Sequence, residues 1–304
     1  MEEIVRFETI HQYNLFNNHE TLNPLISIID FSKAAPRKLR KTFYGFYLLI
    51  LKDTMCGDIR YGHSLYDYQE GTLVFIGPGQ IFGSNSGEDT YQPKGKCLAF
   101  HPDLIKGTSL GSKINEYTFF SYQVNEALHV SEVERMLILD QLQMIHDELQ
   151  RTLDKHSKKL IVTNLELVLN YCLRFYDRQF ISRNTLNQGI LNKFEKLLNE
   201  FFSTQEPSSV GLPSVSYFAE KLNLSPNYFG DLVRRETGKT ALELIQLKLI
   251  DEAKERIHQP EISVSEVAFS LGFKYPQHFT RLFKQQVGLT PSEYRNQISF
   301  SIKN

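Results

Sequence analysis

Gln277, His278, Thr280, Arg281 and Lys284 share a short stretch with Phe279, Leu282 and Phe283. At helical period the two sets separate, with the apolar residues on one face and the hydrogen-bonding residues on the other. The arrangement recurs at an offset of 50 (229 to 279), where Tyr228 or Phe229, Leu232 and Val233 underlie Asn227, Gly230, Asp231 and Arg234. Outward amide, hydroxyl, imidazole and guanidinium groups on a short helix suit hydrogen bonding to base edges and phosphates in a DNA groove.

The elements that must carry these faces are also duplicated. Val215-Ser216-Tyr217-Phe218-Ala219-Glu220-Lys221-Leu222 is echoed by Val264-Ser265-Glu266-Val267-Ala268-Phe269-Ser270-Leu271 at an offset of 49 (215 to 264), and Lys274 reads as one inserted residue. A unit of this size used twice, each with two short helical patterns, looks like a helix-turn-helix, whose second helix lies in the major groove. Ser214 is a candidate N-cap. Ser225-Pro226 restarts a helix with a capping serine and a first-turn proline. Ser263 with Glu266 has capping-box form, and Pro276 starts the last helix of the pair. Leu224, and Gly272 with Phe273, should close the two turns. Ala219 and Ala268 are small enough to let paired helices cross closely. Residues 241–258 read as one connecting helix of roughly 27 Å, against about 34 Å between successive major-groove faces.

Bulk properties limit the rest. The 304 residues suit two domains, and a net charge of −1 excludes a uniformly basic nucleic-acid coat. Residues 205–304 hold 12 Lys/Arg and 11 Asp/Glu, so DNA affinity must come from where charges sit. Cys56, Cys97 and Cys172 are odd in number and widely spaced, which fits a reduced thiol environment better than a disulfide framework. The start lacks a basic-then-apolar signal pattern, and the longest apolar run, 43–51, is too short to span a bilayer. The expectation is a soluble, cytoplasmic protein without a membrane partner.

Along the chain, residues 25–31, 43–51, 72–76 and 96–101 read as strands, the last two ending at Gly77-Pro78-Gly79 and Pro102. Near Ser131 the period turns helical: Ile138, Leu142, Ile145, Leu149 and Leu153, then Ile161, Leu165, Val168, Cys172 and Phe175. These stripes suit either packing within their own domain or a dimer seam. The boundaries are a domain at 1–180 with two helices at 131–180, a polar linker at 181–189, and a helical domain at 190–304. Leu191, Phe194, Leu197, Leu198, Phe201 and Phe202 open the helical domain, and its units fall at about 214–236 and 263–287.

The segment Leu271-Gly272-Phe273-Lys274-Tyr275-Pro276-Gln277-His278-Phe279-Thr280-Arg281-Leu282-Phe283-Lys284, followed by Gly288-Leu289-Thr290-Pro291-Ser292-Glu293-Tyr294-Arg295, closely resembles the signature of the AraC/XylS family of bacterial transcription regulators. The first unit, from Leu224 to Gly238, fits as well, so the resemblance covers about residues 190–298. It implies one recognition helix per unit in adjacent major grooves. Base contacts would fall on Asn227, Gly230 and Asp231, and on Gln277, His278, Thr280 and Arg281. Arg234, Arg235 and Lys284 are suited to phosphates, although Arg235 suits solvation better, and Ser225 joins the DNA-binding set at the start of its helix. Gly230 and Asp231 depart from the family's long polar residues: glycine offers no side chain, and aspartate only accepts, as from cytosine N4. Lys274-Tyr275 replaces the family's frequent serine.

The same resemblance implies an α+β multidomain fold: an N-terminal cupin-like β-barrel with a helical pair, then an all-α C-terminal domain with two helix-turn-helix units. Tyr44, Phe46, Tyr47, Tyr61, Phe75 and His101 are candidate barrel-lining residues, with core packing as the alternative. His63, Glu70 and the distant His101 make no tight ligand set, so no metal or other cofactor is expected. The implied partners are double-stranded DNA, a second copy of the chain, RNA polymerase and a small-molecule effector. A cupin enzyme with a helical appendage leaves the duplication unexplained. A protein-interaction module leaves unexplained why polar residues recur outward on both second helices. The expectation is a sequence-specific, non-enzymatic transcription regulator, responsive to an effector or controlled by dimerisation.

Overall fold

The computed structural model describes residues 4–38, 40–52, 71–83, 90–123, 126–152, 154–182, 184–204, 207, 210–259 and 261–301. The chain divides into two compact units, Met1–Ser182 and Arg183–Asn304.

The first unit runs β1 (Val5–Phe7), α1 (Ile10–Phe16), β2 (Ile26–Asp30), β3 (Arg37–Lys38), β4 (Thr42–Tyr44), β5 (Tyr47–Lys52), β6 (Thr72–Ile76), β7 (Ile81–Phe82), β8 (Thr90–Tyr91) and β9 (Gly95–Phe100). It continues with α2 (Pro102–Ile105), α3 (Ser109–Lys113), β10 (Leu128–His129), α4 (Glu132–Gln150) and α5 (Ser157–Ser182). The main sheet is antiparallel in the order β10-β6-β5-β9-β2. Its central strands are apolar runs because both faces are covered. Leu48, Val74, Ile76, Cys97 and Ala99 meet Phe7, Tyr13, Tyr44 and Phe46 on one side. On the other, Phe75 packs on Phe119 at 4.3 Å and on Tyr176 of α5 at 5.9 Å, while Tyr47 stacks on Phe100 at 4.8 Å. Smaller sheets pair β1-β4-β7 and β3-β8. Among the described residues the strands close no barrel.

Several expectations change here. The single strand at 43–51 is two strands broken at Gly45-Phe46. Gly45 N–H donates to Phe7 O at 2.8 Å, and a Cβ on Gly45 would lie 3.0–3.2 Å from Glu8. The candidate lining residues do not share one face: Tyr44 and Phe46 join the first layer, Tyr47 and Phe75 the second. His101 is the N-cap of α2, its Nδ1 accepting from Asp103 N–H at 3.2 Å. Cys56, Tyr61, His63, Glu70 and Leu153 lie outside the described residues. Burial pushes the thiols of Cys97 and Cys172 well above the usual range, as befits core residues and not reactive ones.

Ser131 starts α4 with a reciprocal capping box to Glu134. The α4–α5 pair buries Ile138, Leu142, Ile145, Leu149, Ile161, Leu165, Val168, Cys172 and Phe175. Both stripes therefore pack inside their own unit. Arg178 of α5 grips Glu134 through Nε at 3.0 Å and Nη2 at 2.8 Å, and Nη2 also reaches His129 O at 2.6 Å.

The second unit is helical: α6 (Asn184–Ser203), α7 (Val215–Lys221), α8 (Pro226–Thr237), α9 (Ala241–Ile257), α10 (Val264–Ser270), α11 (Pro276–Val287) and α12 (Pro291–Ser301). The described residues of the expected linker at 181–189 are helical, since α5 reaches Ser182 and α6 begins at Asn184. Two of its polar residues have partners: the Asn187 and Gln188 amides donate to Glu236 of α8 at 2.9 and 3.3 Å. On α6, Phe194 packs edge-on against Phe218 of α7 at 5.2 Å and Phe229 of α8 at 5.0 Å. The apolar stripe read from residue 191 onward is thus the wall on which the first helix pair rests.

Candidate nucleic-acid interface

Each helix pair is built by local chemistry repeated at the same offset. The Ser214 hydroxyl oxygen accepts from Tyr217 N–H at 3.1 Å, and that of Ser263 accepts from Glu266 N–H at 3.2 Å while Glu266 accepts from Ser263 N–H at 2.7 Å. The turns need a left-handed residue, Asn223 (φ 56°) in the first unit and Gly272 (φ 91°) in the second. Gly272 has a second constraint. A Cβ there would sit 2.7 Å from Gly211 C and 2.8 Å from Pro207 O, so no side chain fits between the turn and the backbone at those two residues. Ala219 and Ala268 are fully buried at the helix crossings.

The second helices, α8 and α11, bury one face each. Tyr228, Phe229, Leu232 and Val233 are buried under α8, so both aromatics are core; Phe279 and Phe283 are buried under α11, with Leu282 half-buried. The opposite faces emerge as expected. Asn227, Arg234 and Arg235 are exposed on α8, and Gln277, His278, Arg281 and Lys284 on α11. Gly230, Asp231 and Thr280 are half-buried among them. Among the described residues nothing engages the Gln277 amide or the Arg281 guanidinium. His278 leans edge-on against Tyr275, centroids 5.6 Å apart. The Thr280 hydroxyl donates to Pro276 O at 3.1 Å, leaving its oxygen as an acceptor.

Ser225 does not belong with this face. It is 3% exposed, and its hydroxyl oxygen accepts from Tyr228 N–H at 3.2 Å, so it caps α8 from inside. The equivalent residue of α11, Tyr275, is 47% exposed and makes no side-chain cap. Lys274, the inserted residue, holds its ammonium 5.6 Å from the Tyr275 ring centroid. The start of α11 thus lacks a side-chain cap and sets an aromatic and a cation beside its first turn, where His278 N–H donates to Tyr275 O at 3.0 Å, whereas α8 is closed by Ser225.

Gly238 (φ 73°) and Gly288 (φ 85°) end α8 and α11 in the left-handed conformation. Each is followed by a capping threonine. Thr240 N–H donates to Glu243 at 2.7 Å, and Thr290 N–H donates to Glu293 at 2.7 Å. Hydrogen bonds from those threonines hold both carboxyls below the usual carboxylate range, and the charges of Arg234 and Lys284 add to the effect. The repeat therefore extends beyond the helix pair: α12 stands to the second unit as α9 does to the first.

The connecting helix α9 has 17 residues, a length of about 25 Å. Two arginines that the sequence reading did not single out fix its far end. Arg256 donates through Nη1 to Ser270 O at 2.9 Å and through Nη2 to Phe202 O at 2.9 Å. Arg295 of α12 donates through Nε to Ile257 O at 2.9 Å and through Nη2 to Ile262 O at 2.8 Å. Arg256 had a signal only as a cation in a last helical turn, and its partners lie 14 and 54 residues away.

Residues 218–297 match a family model described as a helix-turn-helix domain. Among curated relatives, the transcriptional regulatory protein YesN of Bacillus subtilis is 34% identical over 126 residues, 40% of this chain and 32% of the relative. The Msm operon regulatory protein of Streptococcus mutans is 28% identical over 115 residues, 38% of this chain and 39% of the relative. The HTH-type transcriptional regulator YijO of Escherichia coli is 24% identical over 194 residues, 64% of this chain and 65% of the relative. The matches to the first curated relatives span well under half of each relative's length, 14% in a histidine kinase of Formosa agariphila. Among solved structures, the C-terminal domain of the response regulator AraT from Geobacillus stearothermophilus aligns at TM-score 0.32 and 24% identity, over 36% of this chain and 84% of that one.

Proposed function

From a C-terminal unit that belongs to the AraC-type helix-turn-helix domains, we propose that this chain is a sequence-specific DNA-binding transcription regulator. The observation that carries the reading is the duplicated helix pair. Each copy turns an exposed polar face of its second helix outward, and one 17-residue helix pinned by Arg256 and Arg295 connects them. Two readers at such a separation suit adjacent major-groove segments, with modest DNA bending to close the difference between about 25 and 34 Å.

Gln277, His278, Thr280 and Arg281 read base edges from α11, with Arg281 suited to guanine and Gln277 to adenine. Asn227 and Asp231 do so from α8. Arg234, Arg235 and Lys284 take phosphates. Ser225 serves the interface by capping α8 and not by contact.

The N-terminal unit supplies dimerisation or effector control through a cupin-like sheet. Support for a second copy comes from apolar residues exposed on the helical pair, Val133, Met136 and Met144 of α4 with Leu160 and Leu167 of α5. Activation through RNA polymerase and a place in the cytoplasm belong to the same reading. No helix of the described residues is long and apolar enough to cross a membrane.

The test is selection of random duplex DNA on the purified full chain, followed by titration at two salt concentrations. An enriched site with two parts about one helical turn apart supports the reading. Gln277→Ala with Arg281→Ala should then abolish site preference without unfolding the unit. Binding with no enriched site that collapses in salt would reduce the activity to phosphate attraction.

A further inference from the structure

Among the described residues nothing inside the chain accounts for Gly230. Three glycines of the helical unit are accounted for: Gly238 and Gly288 end helices with positive φ, and Gly272 combines positive φ with a backbone approach; Gly189 of α6 shares the open space of Gly230 but lies off the recognition helices. Gly230 lies one turn into α8 in ordinary helical conformation, and a Cβ built there meets no heavy atom within 4 Å. A glycine in that position weakens its helix relative to alanine, because it gives up more backbone freedom on folding. The second unit carries Thr280 at the equivalent place, so the architecture accepts a side chain. Gly230 also shares the outward face with Asn227 and Arg234, three residues before it and four after it.

A helix-weakening residue that folding does not need, at the centre of the face that meets the partner, is explained by what meets that face. We propose that Gly230 is a notch in which the edge of the DNA major groove contacts the α8 main chain, so that α8 seats more deeply than α11. Specificity at that point then comes from close fit and not from a side chain, and a Cβ excludes the base pair now accommodated. The proposal rests on the DNA-binding reading above.

The test uses the full chain, the duplex enriched by the wild-type protein, and two variants. Gly189 is a second helical glycine with no heavy atom near its missing Cβ, but it lies on α6. Both Gly230→Ala and Gly189→Ala should raise the unfolding midpoint of the helical unit by about 4 °C. Gly230→Ala should at the same time lose about tenfold or more in affinity for the enriched duplex, while Gly189→Ala binds as wild type. Higher stability with weaker binding is a combination that a purely structural glycine cannot produce. Gly230→Ala binding at wild-type affinity overturns the proposal, and so does a lowered midpoint, which would reveal an internal need for glycine. A wild-type chain that enriches no duplex overturns the DNA-binding reading and the notch with it.

Discussion

Replacing Arg256 by alanine should loosen the second helix pair more than any single change on the recognition faces. Arg256 is 23% exposed at its side chain and joins two helix ends at once. Phe202 O belongs to the last turn of α6 and Ser270 O ends α10, so both are carbonyls without an intrahelical partner. The guanidinium satisfies both at 2.9 Å and places a positive charge at the negative ends of two helices. A hydrogen bond from a charged donor contributes about 1.5–3 kcal/mol net. Two of them, reduced for the quarter of the side chain that solvent reaches, come to about 3 kcal/mol. The same Nη1 also reaches Ser270 Oγ at 3.0 Å, a hydroxyl that accepts there while it donates to Val267 O at 2.9 Å.

About 3 kcal/mol corresponds to roughly a hundredfold change in an opening equilibrium. Hydrogen exchange on the full chain should show that loss of protection in α10 and the last turn of α6, with β5, β6 and β9 of the other unit unchanged. Arg256→Lys should recover less than half of it, since an ammonium lacks the planar fork that reaches two carbonyls. Protection within about threefold of wild type in Arg256→Ala would refute the argument. The two bonds would then be present without contributing.

Gly272→Ala combines a strained φ with a Cβ 2.7 Å from Gly211 C, and should lower stability of the helical unit by about 3 kcal/mol or more in urea titration, whereas Asn223→Gly should be nearly neutral. The carboxyls of Glu243, Glu266 and Glu293 are held low by hydrogen bonds to Thr240, Ser263 and Thr290. A depressed folded-state value stabilises above the unfolded carboxylate value, about 4.3, and the contribution is lost as pH falls through the folded one. The unfolding midpoint of the helical unit should therefore drop below about pH 4.5, and replacing all three by glutamine should flatten that drop. On DNA, Lys284→Ala should weaken binding uniformly and reduce the salt slope by about one, while Arg281→Ala should cost about 1–3 kcal/mol and relax preference at one base pair. Equal loss on all sequences from both variants would contradict the division into phosphate and base contacts.

What the sequence made legible is what it encodes locally. The Ser263–Glu266 box and the Ser225-Pro226 start each depend on residues within four positions, and both appear where the pattern puts them. The stripes of α4 and α5 were readable for the same reason. What failed depends on distant partners. Asn187 and Gln188 look like linker residues until Glu236, 49 and 48 positions on, accepts from them. Where the strand at 43–51 breaks, Gly45 meets a distant segment, its N–H donating to Phe7 O and Glu8 filling the space beside it. Ser225 was placed among contact residues by its position at the start of a helix, but the same position that suits a cap turns its hydroxyl inward.

Divergence between the two units follows the same line between inside and outside. Ala219 and Ala268, Phe229 and Phe279, Gly238 and Gly288, and the boxes at Thr240–Glu243 and Thr290–Glu293 are alike because crossing, core and cap impose the same demands twice. No such demand acts on the outward positions, and there the units part: Gly230 against Thr280 and Asp231 against Arg281. The exchange of Asp231 for Arg281 is a reversal of charge at matched places. On the proposed function it means the two helices favour different bases at matched places, cytosine from Asp231 and guanine from Arg281, since one accepts where the other donates. Identical readers would bind equally well when the pair is shifted by one reader along repeated DNA. Unlike readers bind one order of half-sites and resist the reverse, so the divergence gives each monomer's site a direction that the duplicated scaffold alone could not specify.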